Sequence, residues 1–140
     1  LHTLKPAAKE PGAVSTGNGR RAGAASPVTV APTNLFITPG TDSFDQLVEK
    51  LGNGLIITDM TGIHAGVNDV AGSFSLLSSG FLVENGVITR AVDRITVAGS
   101  FIDMLKDVTD VGADLTFSLP GVSRYGAPSL LVRQLTVAGS

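Results

Sequence analysis

The sequence predicts an α+β fold made mainly of antiparallel β-sheet, able to curl into a barrel, with two short helices near residues 43–51 and 100–110. Three observations carry this prediction. Short apolar runs of strand length alternate with glycine-rich turns. An Asn-Gly dipeptide at residues 85–86 separates two of these runs and is a strong hairpin signal. Two segments show helical spacing of apolar residues between a capping serine and a glycine.

The first helix is predicted over residues 43–51, between apolar runs at 35–38 and 55–58 that read as strands. Ser43 is the N-cap, and Gln46 three residues later completes a capping box. Gly52 stands where a helix-ending glycine is expected. The apolar stripe consists of Phe44, Leu47, Val48 and Leu51.

The second helix is predicted over residues 100–110 by the same signals. Ser100 is its N-cap, Asp103 stands at the third position, and Gly112 lies just beyond its end. Its stripe consists of Phe101, Met104, Leu105 and Val108. The acidic residues Asp107, Asp110 and Asp114 are interpreted as a helix end that runs into solvent.

Strands are predicted on both sides of the Asn-Gly turn, at 73–79, 81–84, 87–92 and 95–97, and again at 115–118 and 130–137. A two-residue turn places Val83 opposite Ile88 and Phe81 opposite Arg90. The pentapeptide at 96–100, TVAGS, recurs at 136–140. It is either a weak trace of duplication or two strands that end alike.

The length of 140 residues suits one domain with a core. Residues 1–34 are predicted to be an extended lead-in rich in glycine and proline, and residues 35–140 the folded domain. The absence of cysteine excludes disulfides and thiolate metal sites. No apolar run approaches the roughly 18 residues of a membrane helix. Because the chain does not begin with Met, we expect a fragment or a processed product.

The net charge of −2 does not favour nucleic acid as a partner. Residues 1–34 are nevertheless basic, with Lys5, Lys9, Arg20 and Arg21 against Glu10 alone. A solvated arm is the ordinary interpretation. A regulator that binds nucleic acid through Arg20 and Arg21 is the alternative.

The candidate site is the glycine-rich loop between two apolar strands, at residues 62–72, because glycines permit close backbone approach and such loops shape binding surfaces. Its predicted peptide- or partner-contact residues, with the first aromatic of the next strand, are Gly62, His64, Gly66, Asn68, Asp69, Gly72 and Phe74. A metal site in this region would require that Asp59, His64 and Asp69 converge, and their spacing in the sequence does not require such convergence. No catalytic residue or metal ligand is therefore predicted, and a metal-dependent enzyme that uses His64 remains an alternative.

The chain resembles the C-terminal domain of the TldD/PmbA family, also called modulators of DNA gyrase. The resemblance lies in the runs TGIHAGVN (61–68), GSFS (72–75), SGFLVENGVI (79–88), ITVAGS (95–100), DML (103–105), VGADL (111–115) and LLVRQLTVAG (130–139). Upstream, STGNGRR (15–21) and PTNL (32–35) extend it over nearly the whole chain.

The resemblance implies a two-subunit cytoplasmic zinc metalloprotease that cleaves unfolded peptides taken up as extended strands. One subunit type, TldD, holds zinc through a helical H-E-x-x-x-H and a cysteine of its C-terminal domain. The other, PmbA or TldE, lacks these ligands. The family cysteine would fall near residues 120–123, where this sequence has none. The usual acidic residue before Phe74 is Ser73, and a frequent aromatic near Leu82 is absent.

The resemblance therefore favours the non-metal PmbA/TldE-like type. It implies a chain without a cofactor of its own, paired with a TldD-like, zinc-bearing subunit. Dimer contacts and a peptide-binding surface would be its contribution. No membrane is expected as a partner, and nucleic acid is disfavoured.

Overall fold

The computed structural model describes residues 17–120 and 123–139. Two compact units divide these residues. One contains residues 17–38 with the described part of 116–127, and the other contains 39–115 with 128–139. The strands are β1 (Gly19–Arg20), β2 (Thr29–Val30), β3 (Asn34–Phe36), β4 (Gly54–Thr61), β5 (Val67–Asn68), β6 (Ser73–Glu84), β7 (Val87–Ser100), β8 (Val108–Val111), β9 (Thr116–Phe117), β10 (Arg124–Ala127), β11 (Leu130–Val132) and β12 (Thr136–Ala138). The helices are α1 (Phe44–Leu51), α2 (Ile63–Gly66) and α3 (Phe101–Lys106).

The larger unit is organised around one long antiparallel hairpin, β6–β7. Its turn is confirmed at Asn85 and Gly86, whose φ values of 52° and 75° are those of a type I′ turn. The register Val83–Ile88 is confirmed. The register predicted for Phe81 is wrong by one position, because a bulge after Leu82 leaves Phe81 opposite Ala91.

The complete sheet has the order β12-β7-β6-β4, and β5 pairs with β6 beside β4. The mainly antiparallel α+β prediction is confirmed. The sheet remains open in the described part of the chain, since β12 and β4 are two different edge strands, so the barrel variant of the prediction is wrong. The buried apolar residues of this unit, its core, are Leu47, Val48, Leu76, Val83, Ile95 and Val97.

The two copies of the repeated pentapeptide are strand partners. Val137 lies opposite Val97, and their neighbours on each side pair as Thr136 with Ala98 and Ala138 with Thr96. The interpretation as two strands therefore holds for residues 96–98 and 136–138. Residue 140 lies outside the described residues.

The first predicted helix is confirmed as α1, with a complete capping box. The backbone N–H of Gln46 donates to Ser43 Oγ at 3.2 Å, and the backbone N–H of Ser43 donates to the side-chain oxygen Oε1 of Gln46 at 2.8 Å. Lys50 in the last turn donates to Asp42 at 2.7 Å and to Asp110 at 2.6 Å. These ion pairs fix α1 to the segments before and beside it.

The second predicted helix is correct at its start and wrong at its end. Ser100 Oγ accepts from the Asp103 amide at 3.3 Å, but α3 stops at Lys106. Residues 108–111 instead form β8, which pairs with β11. The β-branched residues Val108, Thr109 and Val111 favour a strand, and a pairing partner is available.

The acidic stretch 107–114 is therefore not a solvated helix end. Asp110 binds Lys50, and Asp114 accepts from the Ser129 amide at 2.9 Å and its hydroxyl at 2.6 Å. The strand predicted over 130–137 is likewise divided, into β11 and β12.

The smaller unit contains two small sheets. Strands β1 and β2 pair antiparallel within residues 17–34, the described part of the predicted lead-in. The second sheet has the order β3-β10-β9, with β3 parallel and β9 antiparallel to β10. Residues 1–16, which include Lys5, Lys9 and Glu10, lie outside the described residues.

Candidate functional site

Loop 62–72 begins with a single helical turn. Gly62 has φ 85°, a left-handed conformation that a glycine adopts readily. Its carbonyl accepts from the amides of Ala65 at 3.0 Å and Gly66 at 2.8 Å. This hydrogen bonding forms α2, which the sequence did not predict.

Gly66 lies where the loop returns to β6. A side chain at this position would collide with the carbonyl of Ser75 and with the side chain of Leu76. The following residues form β5, with Val67 opposite Phe74 and Asn68 opposite Ser73. The glycine therefore permits a close approach that the sheet pairing requires.

Asn68 holds the turn that follows β5. Its Oδ1 accepts from the amides of Val70 at 3.1 Å and Ala71 at 2.9 Å, a local side-chain bond typical of asparagine in turns. Asp69 is exposed within this turn. Gly72 has φ 68° and accepts from the Phe101 amide at 2.7 Å, which connects the loop to the start of α3.

Several large apolar side chains are exposed where α2, β5 and the start of α3 meet β6 and β7. Val70, at the turn, is 95% exposed. We define the apolar end patch as Ile63, Val67, Val70, Phe101 and Ile102, all of which are exposed. Because these exposed apolar side chains lie on adjoining elements, the apolar end patch is a candidate interaction surface.

The charged residues of α3 next to this patch bind each other. Lys106 donates to Asp103 Oδ1 at 3.1 Å. This hydrogen bond is the main cause, and a side-chain hydrogen bond with Ser100 the second cause, of a pKa of Asp103 below its ordinary value. The patch is therefore bordered by a paired acid and base.

The remaining predicted site residues differ in exposure. His64 is exposed on α2, and Phe74 is half-buried beside Gly99. Within residues 17–120 and 123–139, no group of three His, Cys, Asp or Glu side chains is placed to hold a metal ion. The structure thus brings Gly62, Gly66, Asn68 and Gly72 together as the frame of one loop, and leaves His64 and Asp69 on its surface.

Sequence reasoning did not find an apolar cavity of about 480 Å³ in the larger unit. Its lining comes from α1, β4, α3 and residues 129–137, and includes Leu47, Leu55, Met60, Met104 and Leu135. None of its lining residues belongs to loop 62–72. Apolar residues on these separate elements carry no sequence signal that they enclose one space.

None of the helices in the part of the chain that the structure describes is long and apolar enough to cross a membrane. The open antiparallel sheet and its short helices define an α+β domain. Comparison with known proteins specifies which domain it is.

Residues 1–139 match the PmbA/TldA metallopeptidase C-terminal domain. The metalloprotease PmbA of Escherichia coli O157:H7 is 35% identical over 97 residues, which are 69% of this chain and 20% of that protein. The PmbA homologue of Haemophilus influenzae is 36% identical over 108 residues, 76% of this chain and 23% of that protein. The chain therefore belongs to the PmbA/TldD family, as the sequence resemblance indicated, and corresponds to its C-terminal domain.

Solved structures agree with this family assignment. A Thermotoga maritima protein described as a modulator of a DNA gyrase has a TM-score of 0.78 and 41% identity, over 99% of this chain and 30% of that one. TldE from Thermococcus kodakarensis has a TM-score of 0.75 over 89% of this chain and 28% of that one, and at 22% identity it supports the fold alone. The chain thus spans less than a third of the length of these relatives.

Proposed function

We propose that this chain is the C-terminal domain of a PmbA/TldE-like subunit in a cytoplasmic, two-subunit zinc metalloprotease that cleaves unfolded peptides. The domain supplies dimer contacts and peptide-binding surface. A TldD-like partner subunit supplies the zinc. The described residues offer no donor set that fits zinc, so no step of the reaction is assigned to them.

The assignment to the PmbA/TldE-like type is supported by the degree of identity to the two kinds of relative. The PmbA relatives from Escherichia coli and Haemophilus influenzae are 35% and 36% identical. The TldD homologues from Haemophilus influenzae and Buchnera aphidicola are 28% and 25% identical, compared with 36% and 28% for the PmbA homologues of the same two organisms. The missing cysteine near residues 120–123 agrees with this assignment.

The observation that carries the dimer-contact role is the apolar end patch. Its five large apolar side chains are exposed on neighbouring elements, and the adjacent Asp103 and Lys106 already bind each other. Burying such side chains gains roughly 25 cal/mol per Å² of apolar surface removed from water. A protein partner that covers the patch accounts for its composition.

Peptide binding is assigned to the sheet edges. Strand β4 forms one edge of the five-stranded sheet with its eight residues, Gly54–Thr61. An extended peptide can add to such an edge through main-chain hydrogen bonds, which require little sequence specificity. This mode suits a protease that accepts unfolded segments.

The test is co-purification of the full-length protein from its native lysate, with mass spectrometry and zinc analysis. We expect a stoichiometric partner that carries both H-E-x-x-x-H and the zinc. A lone, zinc-loaded bait with peptidase activity contradicts the proposal and moves the search for ligands to His64 and to the rest of the protein.

A matched pair of variants tests the patch itself. Ile102→Asp places a charge in the patch and is expected to reduce recovery of the partner at least tenfold. Val87→Asp changes a similarly exposed apolar residue at the start of β7 and is expected to leave recovery unchanged. Equal loss in both variants, or loss in neither, rejects the patch as the dimer contact.

A further inference from the structure

One face of the three-stranded sheet β3-β10-β9 carries two aromatic rings and an arginine. Gly126 on the central strand lies opposite both Phe36 and Phe117, so these residues share a face. The Phe117 ring occupies the space where a side chain at position 126 would stand. The two rings meet edge to face, with centroids 5.8 Å apart.

Arg124 lies two residues from Gly126 on the same strand and therefore on the same face. Its guanidinium carbon is 5.1 Å from the centroid of the Phe117 ring, within the range of a cation–π contact. We define the aromatic–arginine face as Phe36, Phe117 and Arg124. A guanidinium in contact with an aromatic face can still donate hydrogen bonds from its N–H groups to a carboxylate.

All three side chains of this face are exposed in the described part of the chain. Phe36 is 49% exposed and Phe117 is 39% exposed, and Arg124 is exposed as well. A T-shaped ring pair on a protein surface is a preformed contact for apolar side chains, because the rings are already ordered.

The charged residues that the structure describes in this unit are all basic. Its described residues, 17–38, 116–120 and 123–127, contain Arg20, Arg21 and Arg124 and no Asp or Glu. Residues 39–115 and 128–139 contain five basic and eleven acidic residues. The Arg20 guanidinium donates to Ser123 Oγ at 3.1 Å, which places a second cation beside the start of β10. The unit therefore attracts anionic groups, although the whole chain has a net charge of −2.

We propose that the aromatic–arginine face binds extended peptide segments that combine acidic and apolar side chains. A carboxylate of the peptide accepts hydrogen bonds from the Arg124 guanidinium. An apolar side chain two residues further along the peptide contacts the rings of Phe36 and Phe117. Side chains on one face of an extended peptide recur every second residue, about 6.6 Å apart, which suits an arginine beside an aromatic pair. The edge strand of this sheet, β3, offers main-chain pairing.

A peptide suits this face better than a single-stranded nucleic acid. Binding of nucleic acid requires a groove of cations that follows the phosphates, with aromatic residues for successive bases. The face itself holds one arginine. This inference rests on the proposed function, since it specifies the charge of the peptides that the domain accepts.

The test is fluorescence anisotropy of the full-length protein, without added zinc or partner, and with two labelled octapeptides. One is Thr-Glu-Thr-Phe-Thr-Glu-Thr-Glu, in which a Glu lies two residues from Phe on each side, and the other has Gln in place of each Glu. We expect the acidic peptide to bind at least tenfold more tightly at low salt, and the difference to shrink as salt is raised. Arg124→Gln should reduce the preference below threefold, and Arg124→Lys should restore part of it. Arg90→Gln, an exposed arginine on β7, is the control and should retain the full preference.

Equal affinity for the two peptides, or a preference that survives Arg124→Gln, overturns the proposal. Tighter binding of an eight-residue oligothymidylate that depends on Arg124 also overturns it, in favour of nucleic acid. Because this readout needs neither the partner subunit nor cleavage, its failure is distinguishable from failure of the proposed protease role, which the co-purification tests.

Discussion

The five-stranded sheet and the three-stranded sheet use their apolar side chains differently. In the first, Leu76, Val83, Ile95 and Val97 are buried. In the second, the large side chains Leu35, Phe36, Phe117 and Tyr125 are exposed. The five-stranded sheet thus has buried apolar residues as well as exposed ones such as Leu77, Phe81 and Ile88, whereas all the large apolar side chains of the three-stranded sheet are exposed.

The two sheets also differ in how their strands are connected. Strands β6 and β7 are joined by a two-residue turn, whereas β3 and β10 pair residues about ninety positions apart, as in Asn34 with Arg124. Closing the longer loop costs more chain entropy. We infer that the five-stranded sheet carries most of the stability and that the three-stranded sheet is free to serve as a binding surface.

The largest expected effect comes from Gly80 in the centre of the five-stranded sheet. A side chain there would collide with the backbone carbonyl of Ile56 on β4. This carbonyl cannot move away without breaking the pairing between β4 and β6. We expect Gly80→Ala to lower the free energy of unfolding by about 3 kcal/mol, measured by urea denaturation. Gly126→Ala is the counterpart in the three-stranded sheet, where the obstacle is the movable, partly exposed ring of Phe117. We expect its cost to be about 1 kcal/mol, and a larger cost than for Gly80→Ala would reverse the assignment of stability.

The two copies of the repeated pentapeptide provide a matched pair of valines, one buried and one exposed. Val97 is 1% exposed and its strand partner Val137 is 44% exposed. We expect Val97→Ala to cost about 2 kcal/mol, because it leaves a cavity in the core, and Val137→Ala to cost less than about 0.5 kcal/mol. Leu35→Ala in the three-stranded sheet should resemble Val137→Ala. Urea denaturation of the three variants measures this, and similar losses in all of them would show that the two sheets do not differ in burial.

A smaller effect is expected at the helix that packs on the five-stranded sheet. Ser43→Ala removes the side-chain acceptor for the Gln46 amide and disrupts the capping box, which should cost about 1 kcal/mol. Ser100→Ala, at the start of the six-residue α3, should cost less, since a shorter helix with no buried side chain contributes less to stability. Thermal unfolding followed by circular dichroism compares the two variants, and a larger loss for Ser100→Ala would show that α3 is anchored by contacts with the rest of the protein.

The sequence predicted the elements whose signals are local. The capping box of α1, the Asn-Gly turn and the strands beside it are all encoded within a few residues of where they form. The end of α3 was predicted wrongly because Val108 continues the helical spacing while its pairing with Val132 lies elsewhere in the chain. The bulge after Leu82 likewise has no local signal, and it shifted the predicted register.

The candidate sites also differ in whether a local sequence signal could predict them. The glycines of loop 62–72 indicated a tightly built loop, and the conformations of Gly62 and Gly72 agree with that expectation. Its role as a contact surface remains a prediction. The aromatic–arginine face was missed because it depends on residues 36, 117 and 124 being brought together by long-range pairing. The unusual absence of acidic residues from 17–38 and 116–127 was the one signal in the sequence that could have suggested it.

The smallest expected effect is the pH dependence of stability, which should come from the larger unit because the smaller one has no described carboxylates. The hydrogen bonds from Ser129 hold the pKa of Asp114 below its ordinary value of 3.8, and the bond from Lys50 lowers the pKa of Asp110. A carboxyl whose pKa is lowered by folding contributes stability above its unfolded pKa and loses it as the pH falls through the folded value. Asp114→Asn should therefore lower the unfolding midpoint at pH 7 by about 2 °C, and the difference from the unchanged protein should shrink as the pH falls below 3.8. Thermal unfolding at pH 7, 5 and 3 measures this, and a difference as large at pH 3 as at pH 7 would mean that Asp114 acts through its shape and not through its charge.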